Sequence, residues 1–235
     1  MRVKTDENFI KRKARLGKFC SLGGLVVLTI GMVINFSNPN LFELSLLCLV
    51  AGFGIASVGS YNVSRWVKPP RGDEVLEKAL KGLSNKYGLY NYVLPAPHSL
   101  LTPFGLYVLL TKKQNGEISY KTGDKWRQKS DVKRRLRVFF GGEQSVGNPS
   151  SELASEISNM RKMLTRLLPD EELEVSRAIV FLHDDARLEI ESSEVPVLKP
   201  KDLKKFLADE QKKRQNWPAD RLGKVAAALD GRTGG

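Results

Sequence analysis

Two apolar runs separated by four turn-forming residues constrain this chain more than any other feature. Phe19–Phe36 is free of charge for 18 residues, Ser37-Asn38-Pro39-Asn40 follows, and Leu41–Val63 is apolar again apart from Glu43 near its start. Each run approaches the roughly 20 residues that a helix needs to cross a hydrocarbon core. A four-residue uncharged connection permits only a tight antiparallel hairpin. No small-residue cleavage site follows the first run, and a second span comes at once, which argues against a cleaved signal peptide.

Charge sets the expected orientation. Residues 1–18 form a basic leader with Arg2, Lys4, Lys11, Arg12, Lys13, Arg15 and Lys18, and Arg65, Lys68 and Arg71 follow the second run. The connecting loop has no Lys or Arg, so the positive-inside rule places both termini in the cytoplasm of a two-pass cell-membrane protein. Tyr61 and Trp66 suit the interfacial belt. Gly52, Ala56 and Ser60 form a small-residue stripe, with Gly24 and Gly31 on one face of the first helix, so close backbone packing is expected. The stripe serves the hairpin itself first, and a homodimer through the spans is the alternative. Cys20 and Cys48 fall at different depths and are expected to stay unpaired.

The expected organisation is a leader (1–18), a transmembrane helical hairpin (19–66), a linker stiffened by Pro69-Pro70 (67–72) and a cytoplasmic domain (73–235). The domain begins with an amphipathic helix over Asp73–Lys86. Strands are expected at Leu89–Leu94, His98–Leu101, Gly105–Thr111 and Glu117–Tyr120, with an edge piece at Trp126–Gln128. A helix starts at Asn148-Pro149-Ser150-Ser151-Glu152 and runs to Leu168. Ala178–His183 and Pro196–Leu198 are further strands, and Lys201–Gln211 and Pro218–Leu229 are closing helices. This order predicts an α/β sandwich around a mixed sheet.

The stretch Pro97–Ser119, PHSLLTPFGLYVLLTKKQNGEIS, carries a more specific signal. It resembles the core motif of the nuclease-related domain (NERD), a branch of the restriction-endonuclease-like fold. His98, Pro103, Gly105, Leu106, Tyr107, Val108, Leu109, Lys112, Gly116 and Ile118 fall at matching spacing. The resemblance spans roughly Gly72–Leu207 and implies a restriction-endonuclease-like α/β domain. It also implies a catalytic arrangement that this chain departs from. Pro97 stands where the family has a metal-binding Asp, and Leu110 where it has the Glu of its Glu-x-Lys element. Lys112 matches the family's lysine, and Glu74 matches an acid of its first helix.

Nucleases of that family hold Mg²⁺ between carboxylates, and a hard cation needs oxygen ligands that neither Pro97 nor Leu110 supplies. A pseudoenzyme with no cofactor is therefore expected. The alternative is a metal-dependent nuclease with relocated ligands among His98, Glu117 and His183-Asp184-Asp185. The sequence has no nucleophile elbow, Walker loop or dinucleotide fingerprint.

A net charge of +12 favours phosphate-bearing partners. Lys125–Arg137, KWRQKSDVKRRLR, concentrates Lys125, Trp126, Arg127, Lys129, Lys133, Arg134, Arg135 and Arg137. Cations with interleaved aromatics suit DNA or RNA backbones and base stacking. Near a bilayer the same cations suit anionic lipid, at about 1 kcal/mol per basic residue. The expected function is a membrane-tethered binding module for nucleic acid or anionic phosphate. A structural protein-binding subunit of a membrane complex is the remaining alternative.

Overall fold

A computed structural model describes residues 1–121, 125–129, 135, 136, 138, 145–191 and 193–232. The chain divides into two compact units: a helical one built on residues 7–71 and an α/β one comprising residues 1–6, 72–129 and 146–235.

The helical unit contains α1 (Glu7–Ser37) and α2 (Phe42–Trp66), joined by a short 3-10 turn at Pro39–Leu41. Asn38 starts that turn by accepting from the Asn40 amide at 3.1 Å. Both helices are long and apolar enough to cross a membrane, and only 11% of the most apolar stretch of each is buried within the protein. A core helix of a water-soluble protein would be mostly covered. These instead show Phe19, Leu22, Leu25, Phe36, Leu47 and Val50 outward. Such an apolar exterior suits lipid, and the chain has the features of a membrane protein.

The seam between the helices repeats every seven residues. Ile10, Gly17, Gly24 and Gly31 are its buried positions on α1. Ser45, Gly52, Gly59 and Trp66 are their counterparts on α2, with Asn62 beside them. Seven-residue spacing holds one face of each helix toward the other over many turns. Glycine is needed there because the backbones nearly touch. A Cβ on Gly52 would stand 2.8 Å from the Leu28 nitrogen, and one on Gly31 would stand 2.9 Å from the Cys48 Cβ. Ser45 donates its hydroxyl to the Gly31 carbonyl at 2.7 Å, a polar tie in an apolar unit. The expected stripe of Gly52, Ala56 and Ser60 is thus displaced toward Gly59, and Gly17 extends the packing into the basic segment. At that end Phe9 and Trp66 meet edge to face at 5.3 Å. Cys20 and Cys48 are free and half-buried.

The α/β unit has a six-stranded sheet and a three-stranded one. The larger runs in the order β1 (Arg2–Thr5), β2 (Gly88–Asn91), β3 (His98–Thr102), β4 (Gly105–Lys112), β7 (Val175–Phe181), β9 (Val197–Leu198). Strands β2, β3 and β4 form an antiparallel meander, whereas β1, β7 and β9 each join in parallel. The smaller sheet runs β6 (Arg127–Gln128), β5 (Glu117–Lys121), β8 (Arg187–Glu191). The helices α3 (Gly72–Leu80), α4 (Pro149–Leu167), α5 (Leu203–Lys213) and α6 (Ala219–Gly231) accompany them.

Alternation along the central strands creates two cores. Leu106, Val108 and Leu110 of β4 and Ile179 and Phe181 of β7 pack with Leu153, Ile157 and Met160 of α4 and Val225 and Leu229 of α6. Tyr107 and Leu109, with Ala178 and Val180, pack with Leu76 and Leu80 of α3 and Leu203 and Leu207 of α5. The continuous apolar run Leu106–Leu110 is thus buried on both faces, as its composition predicts.

Three elements depart from the sequence reading. Residues 2–5, expected in a basic leader outside the domain, form a strand of its sheet, paired with β2 from Arg2–Gly88 to Thr5–Asn91. The first domain helix ends at Leu80 rather than Lys86, and Gly82, in the left-handed region at φ +94°, follows it. Strand β8 has no counterpart among the expected strands because three of the five residues in Arg187-Leu188-Glu189-Ile190-Glu191 are charged. It belongs to a sheet with one open face, and its charged residues point outward.

Candidate functional site

The positions singled out by the nuclease resemblance fall on β3, β4 and the loop before them. Pro97 is half-buried, and its carbonyl accepts from the Tyr92 amide at 2.7 Å, closing the turn between β2 and β3. Leu110 is 6% exposed and lies in the first core. His98 is buried, with Nδ1 2.9 Å from Asn91 Oδ1. The Asn91 amide in turn donates to Thr5 Oγ1 at 3.1 Å. Because that amide group is the donor to Thr5, its oxygen faces the imidazole, and Nδ1 carries the proton between them. His98 thereby belongs to a polar chain that reaches across β2 to β1.

Lys112 sits at the end of β4 and is not the solvated strand-end charge its position predicts. It is 7% exposed. Its ammonium donates to Glu152 Oε1 at 2.7 Å, to Glu152 Oε2 at 2.8 Å and to the Val146 carbonyl at 3.0 Å. A lysine has three N–H groups, and three protein acceptors take them. Glu152 is delivered by the first turn of α4, where Asn148 caps the helix by accepting from the Ser151 amide at 3.3 Å. An acid in a first helical turn also suits the positive end of the helix dipole.

The remaining acids are dispersed. Glu74 is exposed on α3. Glu117 pairs with Lys129 at 2.9 Å and lies 3.8 Å from Arg187. The hydrogen bond and charge of Lys129 hold its carboxyl below the usual range. His183-Asp184-Asp185 forms the turn between β7 and β8, closed by the Ala186 amide on the His183 carbonyl at 3.2 Å. Among the described residues no three His, Cys, Asp or Glu side chains are grouped to hold a metal ion. The donor set at Pro97, Leu110 and Lys112 does not fit Mg²⁺, since it offers no side-chain oxygen.

The basic stretch is divided by the structure. Lys125, Arg127 and Lys129 are exposed around β6, and Arg135 is exposed as well. Lys133, Arg134 and Arg137 lie outside the described residues. Trp126 is not an open stacking surface. It is 7% exposed, stacks on Tyr120 at 4.5 Å, tilts against Phe181 at 6.0 Å, and donates its indole N–H to Ser150 Oγ at 3.2 Å. The tryptophan therefore anchors the small sheet to the first core, and the cations beside it remain outside.

A second polar assembly has no counterpart in the motif reading. At the second face of the sheet, Tyr107 donates its hydroxyl to Glu210 Oε2 at 3.2 Å. Arg214 donates Nε to the same oxygen at 3.2 Å and Nη1 to Ser176 Oγ at 2.9 Å, and its guanidinium lies 5.7 Å from the Tyr107 ring centre. Burial pushes the Tyr107 hydroxyl up to about 12, with Glu210 adding to the rise and Arg214 opposing it. Burial also acts to raise Glu210, but hydrogen bonds from Lys213 and Tyr107 and the neighbouring cations hold it below the ordinary carboxylate range. These residues floor a groove of about 690 Å³ whose walls include Ile157, Arg161 and Lys162 of α4 and Phe206 of α5. The sequence signal was thin: Tyr107 reads as one more apolar strand residue, and Glu210 as one more charge on a lysine-rich helix.

No family model matches this chain, and neither a curated protein nor a solved structure does.

Proposed function

We propose that this chain is a two-pass membrane protein whose cytoplasmic domain is of the restriction-endonuclease-like, NERD-related kind. In this reading the nuclease positions have been given over to packing, and the domain acts as a tethered binding module for nucleic acid. The observation that carries the loss of chemistry is Lys112, whose three N–H groups are taken by Glu152 and Val146 while Leu110 packs in the core. The order of α3, the β2–β4 meander, α4 and parallel β7 supports the fold reading, since it is the helix, three strands, helix, strand that the resemblance implies.

Chain connectivity supports the topology. Residues 1–6 and the chain that resumes at Gly72 after the hairpin, as residues 72–129 and 146–235, belong to one α/β unit, so both ends of the helical hairpin start from the same folded body. A pair of spans that leaves and rejoins one domain must return to the side it left. Lysine and arginine at both of those ends favour the cytoplasm.

Binding rests on the exposed cations Lys125, Arg127 and Lys129 of the α/β unit. The test uses the full chain in nanodiscs of neutral lipid, with labelled single- and double-stranded DNA, Mg²⁺ or Mn²⁺, and a salt series. Retarded, uncut DNA is expected. Lys125→Ala with Arg127→Ala should weaken binding and reduce the salt slope by about one unit per lost contact. Cutting that EDTA prevents would replace this reading with a nuclease of relocated ligands. Absence of binding would remove the nucleic-acid reading.

A further inference from the structure

We propose that the uncovered edge of β7 is a docking strip for an extended, acidic peptide segment of a partner protein. This inference is independent of nucleic-acid binding and uses a different part of the domain.

Strand β7 is paired along its whole length on one side only. Every residue from Val175 to Phe181 faces β4, whereas β9 covers the other side at Ile179 and Val180 alone. In that short ladder the Ile179 amide donates to the Pro196 carbonyl at 2.9 Å. Alternate residues of a strand direct their backbone groups to the same side. The amides and carbonyls of Val175 and Arg177 therefore face the side that β9 leaves open. Extending the ladder to Arg177 would require an N–H from residue 196, and proline has none. Pro196 thus ends the pairing, and among the described residues no strand covers the edge from Val175 to Arg177.

The open edge is not bare surface. It lies in the 690 Å³ groove, whose lining contains Val175, Ser176, Arg177 and Pro196 between α4 and α5 side chains. An added strand would pair with β7 and direct its alternate side chains toward the two walls, the recognition mode known as β-augmentation. One wall carries Ile157, Arg161 and Lys162, and the other carries Phe206 and Arg214.

Charge selects the occupant. Arg161, Lys162 and Arg177 are exposed, and none is in an ion pair among the described residues. Glu210 is engaged by Arg214 and Lys213, which leaves Glu174 and Glu194 as the opposing acids of the lining. Unpaired cations exceed unpaired acids, and the net charge of +12 adds the same sign from the rest of the chain. A second copy is a poor occupant. Twofold pairing of two β7 edges would bring the Arg177 side chains and their basic neighbours together, and like charges opposed across strands are destabilising. A partner strand bearing Asp or Glu meets both the backbone and the charge.

The test uses the full chain in neutral nanodiscs and three pools of labelled 12-residue peptides. One pool alternates Val or Thr with Asp or Glu, a second replaces the acids with Lys or Arg, and a third is the acidic pool interrupted by proline. The acidic pool should bind at least tenfold tighter than the other two. Arg161→Glu with Arg177→Glu should remove at least tenfold of that affinity with the thermal midpoint unchanged, and Lys162→Glu alone should act in the same direction. Hydrogen exchange in the segment 174–178 should slow when the acidic pool binds. Equal binding of the acidic and basic pools, no binding of any pool, indifference to the charge reversals, or unchanged exchange at 174–178 would each overturn the proposal. Displacement of the peptide by a single-stranded oligonucleotide would also overturn it, and would assign the groove to phosphate.

Discussion

Lys112 and Glu152 are joined by two hydrogen bonds of 2.7 and 2.8 Å, across 40 residues of sequence, with the ammonium buried and the carboxylate at the domain surface. This fork fastens the end of β4 to the first turn of α4. It also occupies the lysine that a nuclease of the resembled kind would direct at water. The two partners are not equivalent, because only the lysine is cut off from solvent.

Removing the acid should therefore hurt more than removing the base. Glu152→Ala leaves a buried ammonium with the Val146 carbonyl alone, and a loss of about 3 kcal/mol in unfolding free energy is expected. Lys112→Met removes the buried charge and leaves a half-exposed carboxylate, so a loss under about 1.5 kcal/mol is expected. Denaturant unfolding of the full chain in detergent checks the order. Equal losses, or a greater loss from Lys112→Met, would mean that the fork does not carry the contact between β4 and α4.

The hairpin should distinguish glycines by position. Gly24 faces the Ala56 backbone so closely that any Cβ must push the helices apart. Gly23 and Gly54 have nothing within 4 Å of where a Cβ would stand. Gly24→Ala and Gly59→Ala should lower the thermal midpoint in nanodiscs, whereas Gly23→Ala and Gly54→Ala should leave it unchanged or slightly raised. A uniform response would show that the seven-residue seam is not the packing surface.

The parts legible in the sequence were those with strong periodicity. Two apolar helices, the run Leu106–Leu110 and the capped start of α4 at Asn148 announce themselves through spacing and turn residues. Strand β1 did not, because Arg-Val-Lys-Thr beside a basic helix carries no local sign that it pairs with residues 86 positions later. The same limit applied to Lys112 and to the Tyr107 assembly. Lys112 depends on partners 34 and 40 residues away and Tyr107 on one 103 residues away, brought together by the fold. Trp126 shows the opposite failure: its basic neighbours imply an open face, and only the fold places Tyr120 and Phe181 on it.

Strand β1 implies that the α/β unit is interrupted, rather than preceded, by the hairpin. Arg2 and Lys4 lie 3.2 Å from Asp230 of α6, and the Tyr90 hydroxyl donates to the same carboxylate at 2.9 Å. A fragment beginning at Gly72 would lose the strand and its ion pairs, and would expose the edge of β2. Its β2 amides should exchange markedly faster than in the full chain. Joining residues 1–6 to Gly72 through a flexible linker should restore their protection. Equal protection in both fragments would show that β1 contributes nothing to the sheet.

Alkaline pH should weaken the α/β unit through its tyrosines. Burial raises Tyr107 to about 12, and Tyr87 and Tyr90 shift in the same direction. The folded state thus holds these phenolic protons more tightly than the unfolded chain does near pH 10. Their contribution is complete below pH 10 and is lost as pH rises toward 12, and for Tyr107 alone the loss is about 2–3 kcal/mol. Urea midpoints at pH 9, 10, 11 and 11.5 should fall steadily above pH 10. Tyr107→Phe should reduce that slope, because phenylalanine has no proton to lose, while costing stability at pH 9 through the lost hydrogen bond to Glu210. An unchanged slope in Tyr107→Phe would mean that the hydroxyl titrates freely and that the Tyr107, Glu210 and Arg214 cluster opens to water on the folded protein.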